Sequence, residues 1–209
     1  MVHMNGSVLV RPIFFLLASV LTSIVDAQSL SGKLVGVDLA KVTEIQLLMN
    51  RGADQRWFAS ASVDDQGGFR FAIEKFPKGF YQLAVNDSDR VDIILDPRET
   101  SVNVELWGVP LQDHIRVIAS AENRRLWTYK QVSRESQMAL REINDRRIVA
   151  SPMDTKLLRS LDSLSAAVAD AKQRALEELI DEDVNGYFRH VVKADMRLMS
   201  ALNSRKGPQ

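Results

Sequence analysis

The chain reads as an α+β protein, with an antiparallel β-sandwich over residues 28–119 followed by a segment of about three α-helices over 120–209. Three observations predict this. From Gln28 to about Ala119 apolar and polar residues alternate in short stretches bounded by turn residues, the pattern of half-buried strands. After Ser120 the period becomes helical, with strong helix formers and, before Gly186, no glycine and a single proline, Pro152. No helix-length segment lies between the strands, so the crossovers that a parallel sheet needs are missing and an antiparallel sandwich is expected.

Residues 1–27 form a separate domain in this reading. His3 and Arg11 precede an apolar run from Pro12 to Val25, and Val25-Asp26-Ala27 follows, the layout of a secretory signal peptide. The run has 14 residues, three of them Ser or Thr. Spanning hydrocarbon takes roughly 20, so cleavage after Ala27 is expected, giving an exported, periplasmic protein without a membrane anchor.

Eight strands are expected: Ser31 to Val37, Thr43 to Met49, Trp57 to Val63, Phe69 to Ile73, Phe80 to Asn86, Val91 to Leu95, Ser101 to Trp107 and Ile115 to Ala119. The alternation is sharpest where Phe69, Phe71 and Ile73 interleave with Arg70 and Ala72, and where Val102, Val104 and Leu106 interleave with Asn103 and Glu105. The joints carry turn chemistry, as in Asp64-Asp65-Gln66-Gly67-Gly68, Pro77-Lys78-Gly79 and Asn86-Asp87-Ser88-Asp89.

Ser120, with Glu122 in the first turn, opens the first helix, which runs to about Ile148 with Leu126, Tyr129, Val132, Ser136, Leu140 and Ile143 on its inner stripe. Pro152 ends it, and Asp154 caps a second helix to about Ile180. That helix places Leu157, Leu161, Leu164, Val168, Ala171 and Ala175 at spacings of four and three, which approximates a coiled-coil seam. Leu158, Leu176 and Ile180 widen the stripe beyond what one neighbouring helix covers; the candidates to cover it are the sandwich, a second copy of the chain or a separate partner, and self-association or partner binding through these residues is expected. A third helix runs from Tyr187 to about Leu202, with Phe188, Val192, Met196 and Met199 on one side.

Composition excludes much. With 27 basic and 27 acidic side chains the formal net charge is zero, and no overall field favours a nucleic acid. Residues 28–118 carry 10 basic and 13 acidic groups and residues 119–209 carry 16 and 13, so the halves should attract each other. No cysteine is present, which removes disulfides, thiol nucleophiles, iron–sulfur and cysteine zinc sites.

The remaining residues suggest no catalytic, cofactor-binding or metal-binding set. His114 and His190 have neither a carboxylate nor another His at helical spacing. No Gly-x-Ser-x-Gly or Ser-x-x-Lys context activates a serine. Asp64 and Asp65 lack the spaced ligands and closing Glu of an EF-hand and read as a hairpin turn. Arg124, Arg125, Arg134, Arg141, Arg146 and Arg147 are interleaved with Glu122, Glu135, Glu142 and Asp145, the pattern of a solvated, ion-paired helix face. Trp57, Trp107, Phe80 and Tyr81 are read as sheet packing before a ligand platform.

The segment Val63-Asp64-Asp65-Gln66-Gly67-Gly68-Phe69-Arg70-Phe71, with Phe76-Pro77-Lys78-Gly79-Phe80-Tyr81-Gln82-Leu83, has the form Asp-x-x-Gly-x-Phe-x-Phe, Pro-x-Gly-x-Tyr-x-Leu. It resembles the hairpin of transthyretin-like and carboxypeptidase-regulatory-like sandwiches. With Ser31-Gly32-Lys33-Leu34-Val35-Gly36, Val91 to Pro97 and Ala119 to Asn123 entering a helix, residues 28 to 200 resemble one accessory domain more closely. This is the domain of unknown function that precedes the thioredoxin-like domain of exported TlpA-like or ResA-like thiol-disulfide oxidoreductases.

The resemblance implies structural roles: Gly68 and Gly79 in turns, and Phe69, Phe71, Tyr81 and Leu83 in the sandwich. The family's thioredoxin-like domain and Cys-x-x-Cys are not in this chain, so the expectation is a stand-alone or truncated, non-catalytic accessory module without a cofactor. Two alternatives are an exported carboxylate-dependent hydrolase, which needs a pocket where two carboxylates converge, and a small-ligand sandwich with an aromatic cleft containing Trp57 or Trp107.

Overall fold

A computed structural model describes residues 28–51, 54–71, 76–108, 110–111, 114–181 and 186–204. The signal-peptide segment and Ile73 lie outside the described residues. The eight strands are β1 (Ser29–Val35), β2 (Glu44–Arg51), β3 (Asp54–Ser62), β4 (Gly68–Phe71), β5 (Gly79–Ala84), β6 (Arg90–Leu95), β7 (Ser101–Trp107) and β8 (Ile115–Ala119). Three helices follow: α1 (Ala121–Val149), α2 (Thr155–Asp181) and α3 (Tyr187–Ser204). The chain is thus α+β, with the strands first and the helices after them.

The strands form two four-stranded sheets, β4-β1-β7-β8 and β3-β2-β5-β6. Five of the six neighbouring pairs are antiparallel, but β1 and β7 run parallel in register from Ser29↔Ser101 to Val35↔Trp107. The sheets are antiparallel-rich, as expected, with this parallel pair as the exception. The return from β1 to β7 passes through the second sheet, so no crossover helix is required.

Alternation decides which side chains enter the sandwich. Phe69 and Phe71 are buried while Arg70 between them is exposed. Leu30, Leu34, Ile45, Leu47, Tyr81, Leu83, Val91, Ile93, Val102, Val104 and Leu106 complete the core. Tyr81 keeps its hydroxyl satisfied by donating to the Pro77 carbonyl at 2.7 Å. The expected turn role belongs to Gly67, not Gly68. Gly67 has φ +81°, and a Cβ there would sit 2.4 Å from the Leu34 carbonyl oxygen. Gly68 and Gly79 are first residues of strands. Asp64 organises the turn by accepting from the N–H groups of Gln66 and Gly68 at 2.9 and 2.8 Å.

A second core joins the helices to the outer face of the β3-β2-β5-β6 sheet. Phe80 and Ile94, paired across β5 and β6, meet Leu126 from α1, Leu176 and Ile180 from α2, and Phe188 and Val192 from α3. Leu176 and Ile180 are 3% and 6% exposed. Of the candidate covers it is the sandwich, through its outer face, that packs on them together with α3, which corrects the expected association through Leu176 and Ile180; Leu158 is half-buried.

Beyond this core α1 and α2 continue as a hairpin packed largely on itself. Ile143 and Leu161 are buried in its seam, but Leu140, Leu164 and Ala171, expected on inner stripes, are exposed. Two helices cover only a narrow strip of each other, and among the described residues these three side chains stay exposed.

Candidate functional site: a buried polar junction and an adjoining cleft

Charged residues are gathered where α1 and α3 leave the sandwich. Ser120, the N-cap of α1, has φ 149° and ψ 120°, a conformation rare for a residue with a Cβ. Its hydroxyl donates to Glu99 Oε2 at 2.6 Å and accepts from the Asn123 N–H at 3.0 Å and from Asn123 Nδ2 at 2.8 Å. Glu99 Oε1 accepts from the N–H groups of Ala121 and Glu122 at 2.6 and 3.0 Å. A carboxylate thus meets the positive end of the 29-residue helix, on N–H groups that have no partner within it.

Glu122 performs the same service for a different helix. Its carboxylate, 3% exposed, accepts from the N–H groups of Tyr187 and Phe188, the first residues of α3, at 3.1 and 2.8 Å. Arg98 Nη2 binds Glu122 Oε1 at 3.0 Å and Asp96 Oδ2 at 2.7 Å, and Lys78 Nζ approaches Asp96 at 3.2 Å. Burial would raise the Asp96 carboxyl, but hydrogen bonds from the Arg98 side chain and backbone and from Lys78, with the Arg98 charge, outweigh it and lower the pKa from 3.8 to about 2. Asp96 is therefore a permanent anion at neutral pH.

Asn123, fully buried, closes the edge of β6. Its Oδ1 accepts from the Ile94 N–H and its Nδ2 donates to the Ile94 carbonyl, both at 2.7 Å, so one amide replaces a neighbouring strand. One turn later Trp127 Nε1 donates to the Asp92 carbonyl at 3.2 Å, and Lys130 pairs with the Asp92 carboxylate while lying over the Trp127 ring at 4.7 Å. The spacing 123, 127, 130 places all three on one face of α1. Lys130–Asp92 joins the halves with the polarity that their net charges suggested, while Arg98–Glu122 joins them with the opposite polarity.

This junction is built to hold helices on a sandwich. Asp96, Glu99 and Glu122 come together, yet each is turned onto cations or helix N–H groups and not into an open pocket. His114 and His190 are exposed on different elements. Among the described residues no group of three or more His, Asp or Glu side chains is gathered for a metal ion. Trp57 and Trp107 are exposed on different sheets, Tyr81 is in the core, and Phe80 lies on the other face of β5 against Tyr187, so the four make no single platform.

An open cleft of about 510 Å³ instead separates β8 from α1, with Trp127 in its wall. Sequence reasoning had placed Trp127 in no site. The signal that it carried was its place one turn after Asn123 on an otherwise polar helix face. No family model and no curated protein matches this chain.

Proposed function

We propose that this chain is a non-catalytic interaction module, exported to the periplasm, of the type that accompanies thioredoxin-like oxidoreductases. Its helical hairpin is the element that meets a protein partner or a second copy. The reading rests on one observation: Ile148, Val149 and Met153, around the α1–α2 turn, are 73, 84 and 89% exposed. Solvent-exposed apolar side chains grouped at the end of a projecting element mark a contact surface. Met138 and Leu164 extend the exposed apolar surface along both helices.

The contact surface in this reading lies at the far end of the hairpin, because Leu176 and Ile180 are already covered. Export is supported by the signal-like layout of residues 1–27. The oxidoreductase context is supported by the hairpin motif over residues 63–83, and the lack of catalytic exchange by the absence of any cysteine. Among the described residues no helix is long and apolar enough to cross a membrane.

Light scattering of the mature chain across a hundredfold concentration range tests the hairpin, together with photocrosslinkers placed at Val149, Met153 and Arg70. Association, or defined adducts from positions 149 and 153 alone, is expected, and Val149→Asp with Met153→Asp should abolish either. A strictly monomeric chain that gives no position-specific adduct would refute the module. Catalysed insulin reduction by the pure chain would refute its non-catalytic character.

A further inference from the structure

The four outer strands of the two sheets are β4 and β8 in one and β3 and β6 in the other. An uncovered outer strand presents unpaired N–H and C=O groups and invites another strand. Three of the four are met, at one end or along their length, by other parts of the described chain. β3 and β4 are tied to each other by the turn at Asp64 and the Val63↔Phe69 bridge. β6 is closed by Asn123 and Trp127. Among the described residues no strand pairs with the outer side of β8.

The backbone of β8 is oriented for an incoming strand. The Trp107 N–H donates to the His114 carbonyl at 2.8 Å, and Arg116 pairs with Glu105 two residues further along. In an antiparallel ladder the residues between such pairs direct their polar groups the other way. Ile115 and Val117 thus turn theirs toward the cleft, and both line it.

The opposite wall is α1, which contributes Trp127 as an apolar floor and Arg124, Lys130 and Arg134 as cations. Lys130 is engaged by Asp92, Arg134 also has a partner, and Glu135 accepts from Gln131 Nε2 at 2.9 Å, so the described lining carries three cations and one carboxylate. Arg124 only grazes the Ile118 carbonyl, at 3.5 Å.

From these features we propose that the β8 edge and the facing side of α1 form a groove for an extended, acidic segment of a partner polypeptide, added as a fifth strand of the β4-β1-β7-β8 sheet. The open ladder specifies an extended backbone, and the arginine-bearing wall specifies carboxylates. Pairing β8 with β8 of a second copy would bring one cation-bearing wall toward the other, which disfavours self-association here. The groove is separate from the hairpin end and stands on different observations.

The test uses the mature chain and a dye-labelled peptide, acetyl-(Glu-Val)3-Glu-amide, followed by fluorescence anisotropy. Controls are its Lys-for-Glu counterpart and a version N-methylated at alternate residues. The acidic peptide should bind at least about tenfold more tightly than the Lys peptide, and N-methylation should reduce binding about as much. Val117→Pro removes a cleft-facing N–H without removing a β7–β8 bond, so it should weaken binding about tenfold with circular dichroism unchanged. Arg124→Glu with Arg134→Glu should reverse the charge preference if Val117→Pro perturbs the fold. Val149→Asp at the hairpin end should leave peptide binding unchanged. Equal binding of the acidic and Lys peptides, insensitivity to N-methylation, or a dimer that Val117→Pro dissociates would each overturn the proposal.

Discussion

Replacing Asn123 by Ala isolates the contact that seals the sandwich against the helices. Asn123 and Ile94 are both fully buried, and the side-chain amide supplies the partners for the Ile94 N–H and C=O. The substitution leaves two backbone groups without partners. Each unsatisfied buried group costs about 1 to 3 kcal/mol, so a loss of about 3 kcal/mol is expected after partial hydration of the vacated space. For a chain of this size that corresponds to a fall of roughly 6 to 12 °C in Tm.

Urea unfolding followed by circular dichroism measures the loss, and hydrogen exchange of the Ile94 amide locates it. Gln137→Ala, on the exposed face of the same helix, should stay within about 0.5 kcal/mol. Asn123→Asp adds a directional check. Ionised, it still accepts from Ile94 N–H but opposes the Ile94 carbonyl, so this variant should gain stability relative to wild type as the pH falls and the acid regains a donor. An Asn123→Ala midpoint within 0.5 kcal/mol of wild type, with Ile94 exchange unchanged, would refute the edge-capping argument.

Phe71→Ala should cost about 3 to 5 kcal/mol, since Phe71 is 2% exposed within the sandwich, while Arg70→Ala should stay within about 0.5 kcal/mol; equal urea midpoints would contradict the strand register. Glu122→Gln keeps one oxygen but turns an amide toward the α3 N–H groups or Arg98, and should destabilise by about 3 kcal/mol, with exchange at the Phe188 amide rising first if Glu122 is what docks α3. The Asp96 pKa, lowered from 3.8 to about 2, means that the folded state holds the anion more strongly than the unfolded chain does. Its contribution of about 2 kcal/mol is complete above pH 4 and is lost as the pH falls toward 2, so Asp96→Asn should be less stable than wild type at pH 7 and approach it at pH 2. A constant difference across that range would show that Asp96 stabilises by packing alone.

Much of this architecture was legible in the sequence because it is local. Two-residue alternation around Phe69 and Phe71, the Asp64 turn and the Ser120 cap depend on neighbours a few positions away, and all eight strands and three helices lie within a few residues of their expected bounds. The parallel β1–β7 pair was not legible, because it joins segments brought together only by the intervening sheet. The stripe of Leu176 and Ile180 was read correctly as wanting cover, but helical periodicity says nothing about who supplies it. The outer face of β5 and β6, through Phe80 and Ile94, does. The polar junction was hidden for the same reason. Glu122 resembles any acidic first-turn residue and Asn123 any exposed amide, and only the folding of α1 along β6 turns one onto the N-terminus of α3, 65 residues away, and the other onto Ile94. Local propensity and hydrophobic period thus determined the elements and their inward faces. Tertiary packing alone decided which sheet edge α1 would seal and which it would leave open.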